Sequence, residues 1–258
     1  MRRRLTTGSR IGASVLAGLI VGAGCAGKSE PAGKVEQDPL FKARMAQSLM
    51  AAGRVGEALS TLQEAIEADP GNAALRLHHG QICFQAGRYD EAERSLHKAL
   101  QLDRYLTDAH NFLGAVYQET GRHEQAEREY KLALEDLAYP SPELVYLNLG
   151  ILYADLGREE EAIEVLRKSV GVNPKYYKAH FQLASVLEKT GNYGEAVREY
   201  EVAEPGFRNN ADYFYRLGLT YFRLGEKQRA RFNLDRALSV APGSESAARA
   251  EELLRMLD

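Results

Sequence analysis

The sequence lacks tryptophan, contains only two cysteines and has little excess of either charge. Its 258 residues include 33 basic and 36 acidic side chains, so the formal net charge is −3. This balance provides no electrostatic attraction for nucleic acid. The uncharged apolar run at residues 11–24 is shorter than the roughly 20 residues that a membrane-spanning helix needs. These absences favour a soluble domain with no nucleic-acid partner.

Residue patterns typical of catalysis or metal binding are also missing. The histidines show no His-x-x-x-His spacing with further ligands nearby, and no Cys-x-x-Cys pair is present. No Ser, His and Asp combination can be argued from spacing. His110 and His180 recur at equivalent positions, which predicts packing or surface roles. We therefore expect no enzymatic activity, no metal, no cofactor and no small-molecule substrate.

The N-terminus differs in composition from the remainder. Four arginines (Arg2, Arg3, Arg4 and Arg10) precede the apolar run, which ends at Cys25. Residues 1–24 are predicted to be a signal peptide. The "VGAGC" boundary resembles a bacterial lipoprotein signal, in which the cysteine becomes the acylated first residue, although Gly22 stands where leucine is favoured. The alternative is ordinary signal-peptidase cleavage after Ala23.

Removal of residues 1–24 leaves 29 basic and 36 acidic residues, a formal charge of −7. Residues 25–38 are rich in glycine, proline and charge and are predicted to form a flexible tether behind the lipidated cysteine. Ala26 follows Cys25, in place of the aspartate that commonly retains lipoproteins at the inner membrane. The resemblance therefore implies a lipid-anchored, periplasm-facing protein of a Gram-negative outer membrane. With Cys25 acylated, Cys83 has no disulfide partner and is predicted to be a core residue.

From residue 39 onward the sequence repeats itself. Successive aligned alanines are separated by 34, 34, 36, 34 and 34 residues, and lie at Ala58, Ala92, Ala126, Ala162, Ala196 and Ala230. The pattern resembles the tetratricopeptide repeat over residues 39–243. It implies an all-α, right-handed superhelix of six helix-turn-helix repeats, with predicted bounds at 39–72, 73–106, 107–142, 143–176, 177–210 and 211–243. Residues 244–258 are predicted to form a C-terminal capping helix.

Each predicted repeat has a physical explanation for its spacing. A glycine joins the two helices, because it accepts the left-handed conformation at a helix C-terminus. These glycines are Gly53, Gly87, Gly121, Gly157, Gly191 and Gly225. Small residues in the first helix, such as Gly80 and Gly114, let the two helices approach closely. One repeat cannot cover its own apolar face, so the repeats must stack.

A concave groove is the predicted functional surface. Positions two, five, nine and twelve, counted from the start of each repeat, are expected to face it. The apolar side chains at these positions are candidates for binding a protein partner: Leu40, Leu77, Phe84, Leu144, Leu147, Ile151, Phe181, Tyr215, Leu219 and Phe222. The alternative is that a tight superhelix, the terminal helix or the tether buries them. Only Lys178 and Asn111 are of the type that clamps a C-terminal carboxylate, so that class of peptide is disfavoured.

The single 36-residue interval falls at "LAYPSPELVYLNLG", where Pro140 and Pro142 lengthen one turn. With the anchor, the repeat count and the length, this junction resembles the type IV pilus biogenesis and stability lipoproteins, the PilF, PilW and Tgl pilotins, and is nearest to the Tgl branch. The resemblance implies that the protein binds the PilQ-like secretin and promotes its outer-membrane insertion and multimerisation, hence pilus assembly and motility. It implies Cys25 as the anchor and the groove as the docking surface. A lipoprotein scaffold for peptidoglycan enzymes or outer-membrane protein assembly is the alternative.

Overall fold

The computed structural model describes residues 38–257, all of whose regular elements are α-helices. The predicted signal peptide, Cys25 and almost all of the tether lie outside these residues. In chain order the helices are α1 Pro39–Ala51, α2 Val55–Ala68, α3 Ala73–Gln85, α4 Tyr89–Leu102, α5 Thr107–Glu119, α6 His123–Leu134, α7 Pro142–Asp155, α8 Glu159–Val172, α9 Tyr177–Lys189, α10 Tyr193–Phe207, α11 Ala211–Arg223, α12 Lys227–Val240 and α13 Glu245–Arg255.

Each odd-numbered helix from α1 to α11 packs most extensively against the even-numbered helix that follows it. Six helical pairs therefore stack in chain order, and the predicted all-α repeat architecture is confirmed. Within a pair, the turn passes through a glycine with φ between 71° and 81°, at each of the six positions that the sequence indicated. This is the left-handed region that glycine tolerates without steric cost.

Close helix contact explains the small residue in each first helix. At Gly114, an added Cβ would lie 2.5 Å from the ring of Tyr130 on α6. At Gly80 and Gly150 the same atom would lie 2.7 Å and 2.6 Å from Leu96 and Leu166. These leucines and Tyr130 are at most 1% exposed. The first helix therefore fits the second only where a side chain is absent or minimal.

Arginine side chains join consecutive repeats. Arg158 immediately precedes α8, and its guanidinium donates to Glu127 Oε2 on α6 at 2.6 Å. It also lies 4.1 Å from the ring centroid of Tyr153, whose hydroxyl donates to Glu127 at 3.0 Å. Lys131 forms a further ion pair with the same carboxylate at 2.6 Å. Repeats three and four are thus connected by a network that the sequence analysis did not identify.

The elongated turn at residues 135–141 is tied to α5. The Tyr139 hydroxyl donates to Asp108 Oδ1 at 2.7 Å, and Tyr139 is 9% exposed. The Thr107 hydroxyl donates to Asp136 Oδ2 at 2.6 Å, and Asp136 Oδ1 accepts from the Ala138 amide. Pro142 begins α7, where a missing amide hydrogen costs nothing. The two extra residues are therefore accommodated in an ordered loop.

Helix α13 covers the last pair by packing on α11 and α12. Ser244 caps it by accepting from the Ala247 amide at 3.2 Å. Ala250, Leu253 and Leu257 are buried on the covered side. Among residues 38–257, no helix is both long enough and apolar enough to cross a bilayer.

The Glu127 network predicts a pH dependence of stability. The hydrogen bond from Arg158 lowers the pKa of Glu127 to about 2. Since a glutamate in an unfolded chain titrates at about 4.3, the stabilisation is complete above that pH and is lost as the pH falls towards 2. Urea unfolding monitored by circular dichroism should show Glu127→Gln less stable than the wild type at pH 6. The gap should narrow steadily below pH 4.5. An exposed control, Glu164→Gln, should have nearly the wild-type unfolding free energy both at pH 6 and below pH 4.5. If the difference in unfolding free energy between Glu127→Gln and the wild type stayed constant across this range, the network would be contradicted.

A candidate protein-binding groove

The first helices line the inner side of the superhelix. Neighbouring first helices, such as α3 and α5, pack against one another more than neighbouring second helices do. A stack of helical pairs curves towards the side where its members are closer together. The odd-numbered helices therefore form the concave surface, as is usual for helical repeats.

The structure places the candidate groove residues in three environments. Leu40 and Leu144 are 48% and 37% exposed. Six others are partly buried on the concave side: Phe84, Ile151, Phe181, Tyr215, Leu219 and Phe222. Leu77 and Leu147 are only 6% exposed and belong to the core, so the expectation that these two face solvent was wrong.

The physical reason is the direction of position five in each repeat. This position faces the first helix of the neighbouring repeat rather than the open groove. Asn111, at position five of α5, is 7% exposed and accepts a hydrogen bond from Asn148 on α7 at 3.0 Å. Ala43 occupies the equivalent position in α1 and is also buried. Leu77 and Leu147 therefore contribute to the contact between repeats.

A pocket of about 320 Å³ opens between α3, α5 and α7. This volume lies near the lower end of the range of ligand pockets, about 300–1,000 Å³. Its apolar lining includes Phe84, Phe112, Leu144 and Ile151. The rings of Phe84 and Phe112 meet edge to face with centroids 6.1 Å apart. Three predicted residues, Phe84, Leu144 and Ile151, are thus brought together at one site.

Amide side chains form the polar part of this pocket. Asn148 Nδ2 donates to Asn111 Oδ1, and both residues line the pocket. Gln118 is oriented by the buried Tyr130, whose hydroxyl donates to Gln118 Oε1 at 3.0 Å. Gln118 Nε2 in turn lies 3.4 Å from Asp155 Oδ2. The pocket therefore combines apolar side chains with oriented neutral amides and the Glu119 carboxylate.

Phe181 belongs to an aromatic cluster in the fifth and sixth repeats. Its ring stacks on Phe207 with centroids 4.6 Å apart, and lies 5.7 Å from Tyr200 and 6.4 Å from Tyr213. Tyr200 and Tyr213 are fully buried. Phe181 therefore contributes to packing between repeats, and only part of its side chain remains open to the groove. The sequence analysis missed Phe207 because it follows Pro205, within the last turn of α10.

Charged side chains on this C-terminal part of the concave face neutralise one another. Tyr200 donates to Glu188 Oε2 at 2.7 Å, just as Tyr130 donates to Gln118 in the third repeat. Burial raises the pKa of Glu188. Arg216 lies 3.7 Å from Glu188 and forms a second pair with Asp212 at 2.9 Å.

The described residues offer no evident centre for chemistry. Between residues 38 and 257, no three His, Cys, Asp or Glu side chains are placed to hold a metal ion. Cys83 is fully buried, and burial raises the pKa of its thiol to about 11, so it is unsuited to act as a nucleophile. His110 and His180 contact Glu129 and Glu199 at 2.7 Å and 2.6 Å, which are packing contacts at equivalent positions.

Positions six and thirteen of the first helices also reach the groove, and the sequence analysis missed them. Counted from the repeat starts at residues 107 and 143, Phe112 and Asn148 occupy position six, while Glu119 and Asp155 occupy position thirteen. These positions lie one residue beyond the predicted positions five and twelve. Including positions six and thirteen in the predicted concave surface would have identified all four residues.

The different surroundings of Phe181 and Leu144 predict different costs of truncation. Phe181→Ala should lower the unfolding free energy by about 2 kcal/mol or more, because it leaves a space beside three aromatic rings. Leu144→Ala should cost less than about 1 kcal/mol, since Leu144 is partly exposed. Urea unfolding of both variants, monitored by circular dichroism, measures the difference. Equal costs would contradict the distinction between packing and groove residues.

Sequence comparison identifies the repeat independently. Profiles described as tetratricopeptide or TPR repeat match residues 49–97, 80–121, 105–175, 147–212 and 211–244. A BBSome complex member BBS4 homologue from Drosophila melanogaster is 30% identical over 115 residues, which are 44% of this chain and 24% of the relative. The photosystem I assembly protein Ycf3 of Acaryochloris marina is 29% identical over 85 residues, 33% of this chain and 51% of the relative. The chain thus spans about half or less of the length of these relatives.

Three solved structures share the fold. PilW, described as a widely conserved type IV pilus biogenesis factor, superposes with a TM-score of 0.74 at 23% identity, covering 81% of this chain and 96% of PilW. PilF of Pseudomonas aeruginosa gives a TM-score of 0.75 at 21% identity, covering 86% and 99%. YrrB, a TPR protein with an unusual peptide-binding site, gives 0.59 at 24% identity, covering 74% and 97%. The helical pairs, the repeat profiles and these superpositions together show that the chain is a tetratricopeptide repeat protein.

Proposed function

We propose that this protein is a pilotin of type IV pilus biogenesis, an outer-membrane lipoprotein whose concave groove binds the pilus secretin. The observation that supports this most strongly is the extent of the structural likeness. The described superhelix superposes on nearly the whole of PilW and PilF, at 96% and 99% of their lengths. The Tgl-like junction at residues 136–150 adds support from sequence.

The groove provides a suitable surface for a protein partner. The pocket between α3, α5 and α7 is open and contains apolar side chains beside neutral amides. Apolar anchors within a polar surround are typical of protein interfaces. A PilQ-like secretin subunit would present a segment to this pocket before it enters the membrane.

Membrane attachment gives the groove its proposed effect. Acylation of Cys25 would confine the protein to one leaflet and raise the effective concentration of any bound subunit there. Residues 25–38 would provide the tether. The secretin would be protected and delivered, and would insert and multimerise without any covalent bond being changed. Pilus assembly and twitching or social motility would follow from this step.

Deletion of the gene tests the proposal. Membranes from the deletion strain, analysed on SDS gels without boiling, should lack the secretin multimer and retain its monomer. Complementation with Ile151→Glu should fail, since a buried charge in the pocket opposes apolar docking. Complementation with Val202→Glu, which changes a residue 44% exposed on α10, should succeed. Normal multimer levels in the deletion strain would refute the pilotin role.

Replacement of the proposed lipid attachment site tests localisation. Cys25→Ala should yield a folded protein that no longer fractionates with the outer membrane, because the acyl chains are its only proposed anchor. The distribution is measured by membrane fractionation and immunoblotting, and folding by circular dichroism. Unchanged membrane attachment of Cys25→Ala would rule out the lipid anchor.

A further inference from the structure

We propose that the pocket between α3, α5 and α7 binds an extended segment of the partner in which a large apolar side chain has a lysine or arginine within two residues of it. This inference rests on the proposed function, because it specifies what the concave face recognises. Three features of the pocket support it: its apolar lining, an unsatisfied amide pair and two carboxylates without a counter-charge.

The apolar lining determines the first part of the ligand. Phe84, Phe112 and Ile151 come from three successive first helices and surround a space of about 320 Å³. Leu144 at the edge is 37% exposed. A large aliphatic or aromatic side chain inserted here would shield all four from water, and the burial of this apolar surface would stabilise the complex.

The asparagine pair determines the second part. Asn111 is 7% exposed, yet within residues 38–257 its side chain makes a single hydrogen bond, the one that its Oδ1 accepts from Asn148 Nδ2. Asn111 Nδ2 and Asn148 Oδ1 therefore remain as one donor and one acceptor in the pocket wall. A peptide unit offers the complementary acceptor and donor. An extended segment exposes these backbone groups, whereas a helix uses them internally.

Two carboxylates determine the charge of the ligand. Glu119, the last residue of α5, lines the pocket, and Asp155, the last residue of α7, is adjacent to Gln118, which also lines it. Glu119 contacts the Tyr89 hydroxyl at 3.5 Å, and Asp155 contacts Gln118 at 3.4 Å. In the described part of the chain, neither carboxylate is within ion-pair distance of a basic side chain.

In the fifth repeat the corresponding arrangement includes a cation from the protein itself. There Tyr200 orients Glu188 as Tyr130 orients Gln118, and Arg216 of the next first helix supplies the cation. At the pocket, Asn148 of the next first helix occupies the position equivalent to Arg216 and carries no charge. A lysine or arginine of the ligand would supply to Glu119 and Asp155 the attraction that Arg216 supplies to Glu188, and these two carboxylates would repel an acidic segment.

Selection from a random peptide library displayed on phage, against the full mature chain, tests the inference. Enriched peptides should contain a large apolar residue with lysine or arginine within two positions. Enrichment of acidic peptides, of peptides without a basic residue, or of none would overturn it.

The most enriched peptide, labelled and titrated by fluorescence polarisation, provides the matched comparison. Glu119→Gln combined with Asp155→Asn should weaken its binding about tenfold and remove most of its salt dependence, because both carboxylates lose their charge at nearly constant size. Glu67→Gln combined with Asp90→Asn, which changes the same number of charges on α2 and α4, should bind as the wild type does. Equal binding by the first double variant would refute the assignment.

The outcomes separate this inference from the proposed function. If the deletion strain lacks secretin multimers but the selected peptides ignore Glu119 and Asp155, the pilotin role stands and the ligand assignment fails. If the peptides behave as expected but multimers form normally without the protein, the ligand assignment stands and the partner is a different protein.

Discussion

The structure depends on the close approach of the two helices within each repeat. Gly80, Gly114, Gly150 and Gly218 each face a buried side chain of the second helix so closely that a Cβ would clash with it. Within each repeat the second helix lies on the outer side of the superhelix. Successive first helices pack against one another on the inner side. The concave surface is therefore a consequence of where the small residues stand.

The same constraint explains which side chains are available for binding. Position five of a first helix points at the neighbouring repeat, so Leu77 and Leu147 are core residues. Positions six and nine remain open and place Asn148 and Ile151 in the wall of the pocket, and position thirteen places Asp155 next to Gln118. In the C-terminal repeats an aromatic cluster and the Glu188–Arg216 network occupy equivalent space. The groove is thus open in the middle repeats, whereas towards the C-terminus its side chains contact one another.

Much of the fold could be predicted from the sequence, because a repeat of fixed length repeats its physical requirements. The glycine at each turn and the small residue in each first helix are imposed by local geometry, and they recur at every period. The binding surface was harder to predict, since a shift of one position around a helix decides whether a side chain faces the groove or the next repeat. Phe181 shows this: its position suggested exposure, but contacts with Phe207 and Tyr213, more than 25 residues away, bury part of it. Such contacts, like the pairing of Arg158 with Glu127, depend on how repeats stack and leave no periodic signal.

The central claim is that the open part of the concave face holds the partner in the cell. A photo-crosslinking amino acid placed at position 144, at the edge of the pocket, tests this most directly, with position 202 on the outer helix α10 as the control. Illumination of living cells should join the protein to the secretin subunit from position 144 and not from position 202. Crosslinks to the secretin from position 202 alone, or from neither position, would contradict the account.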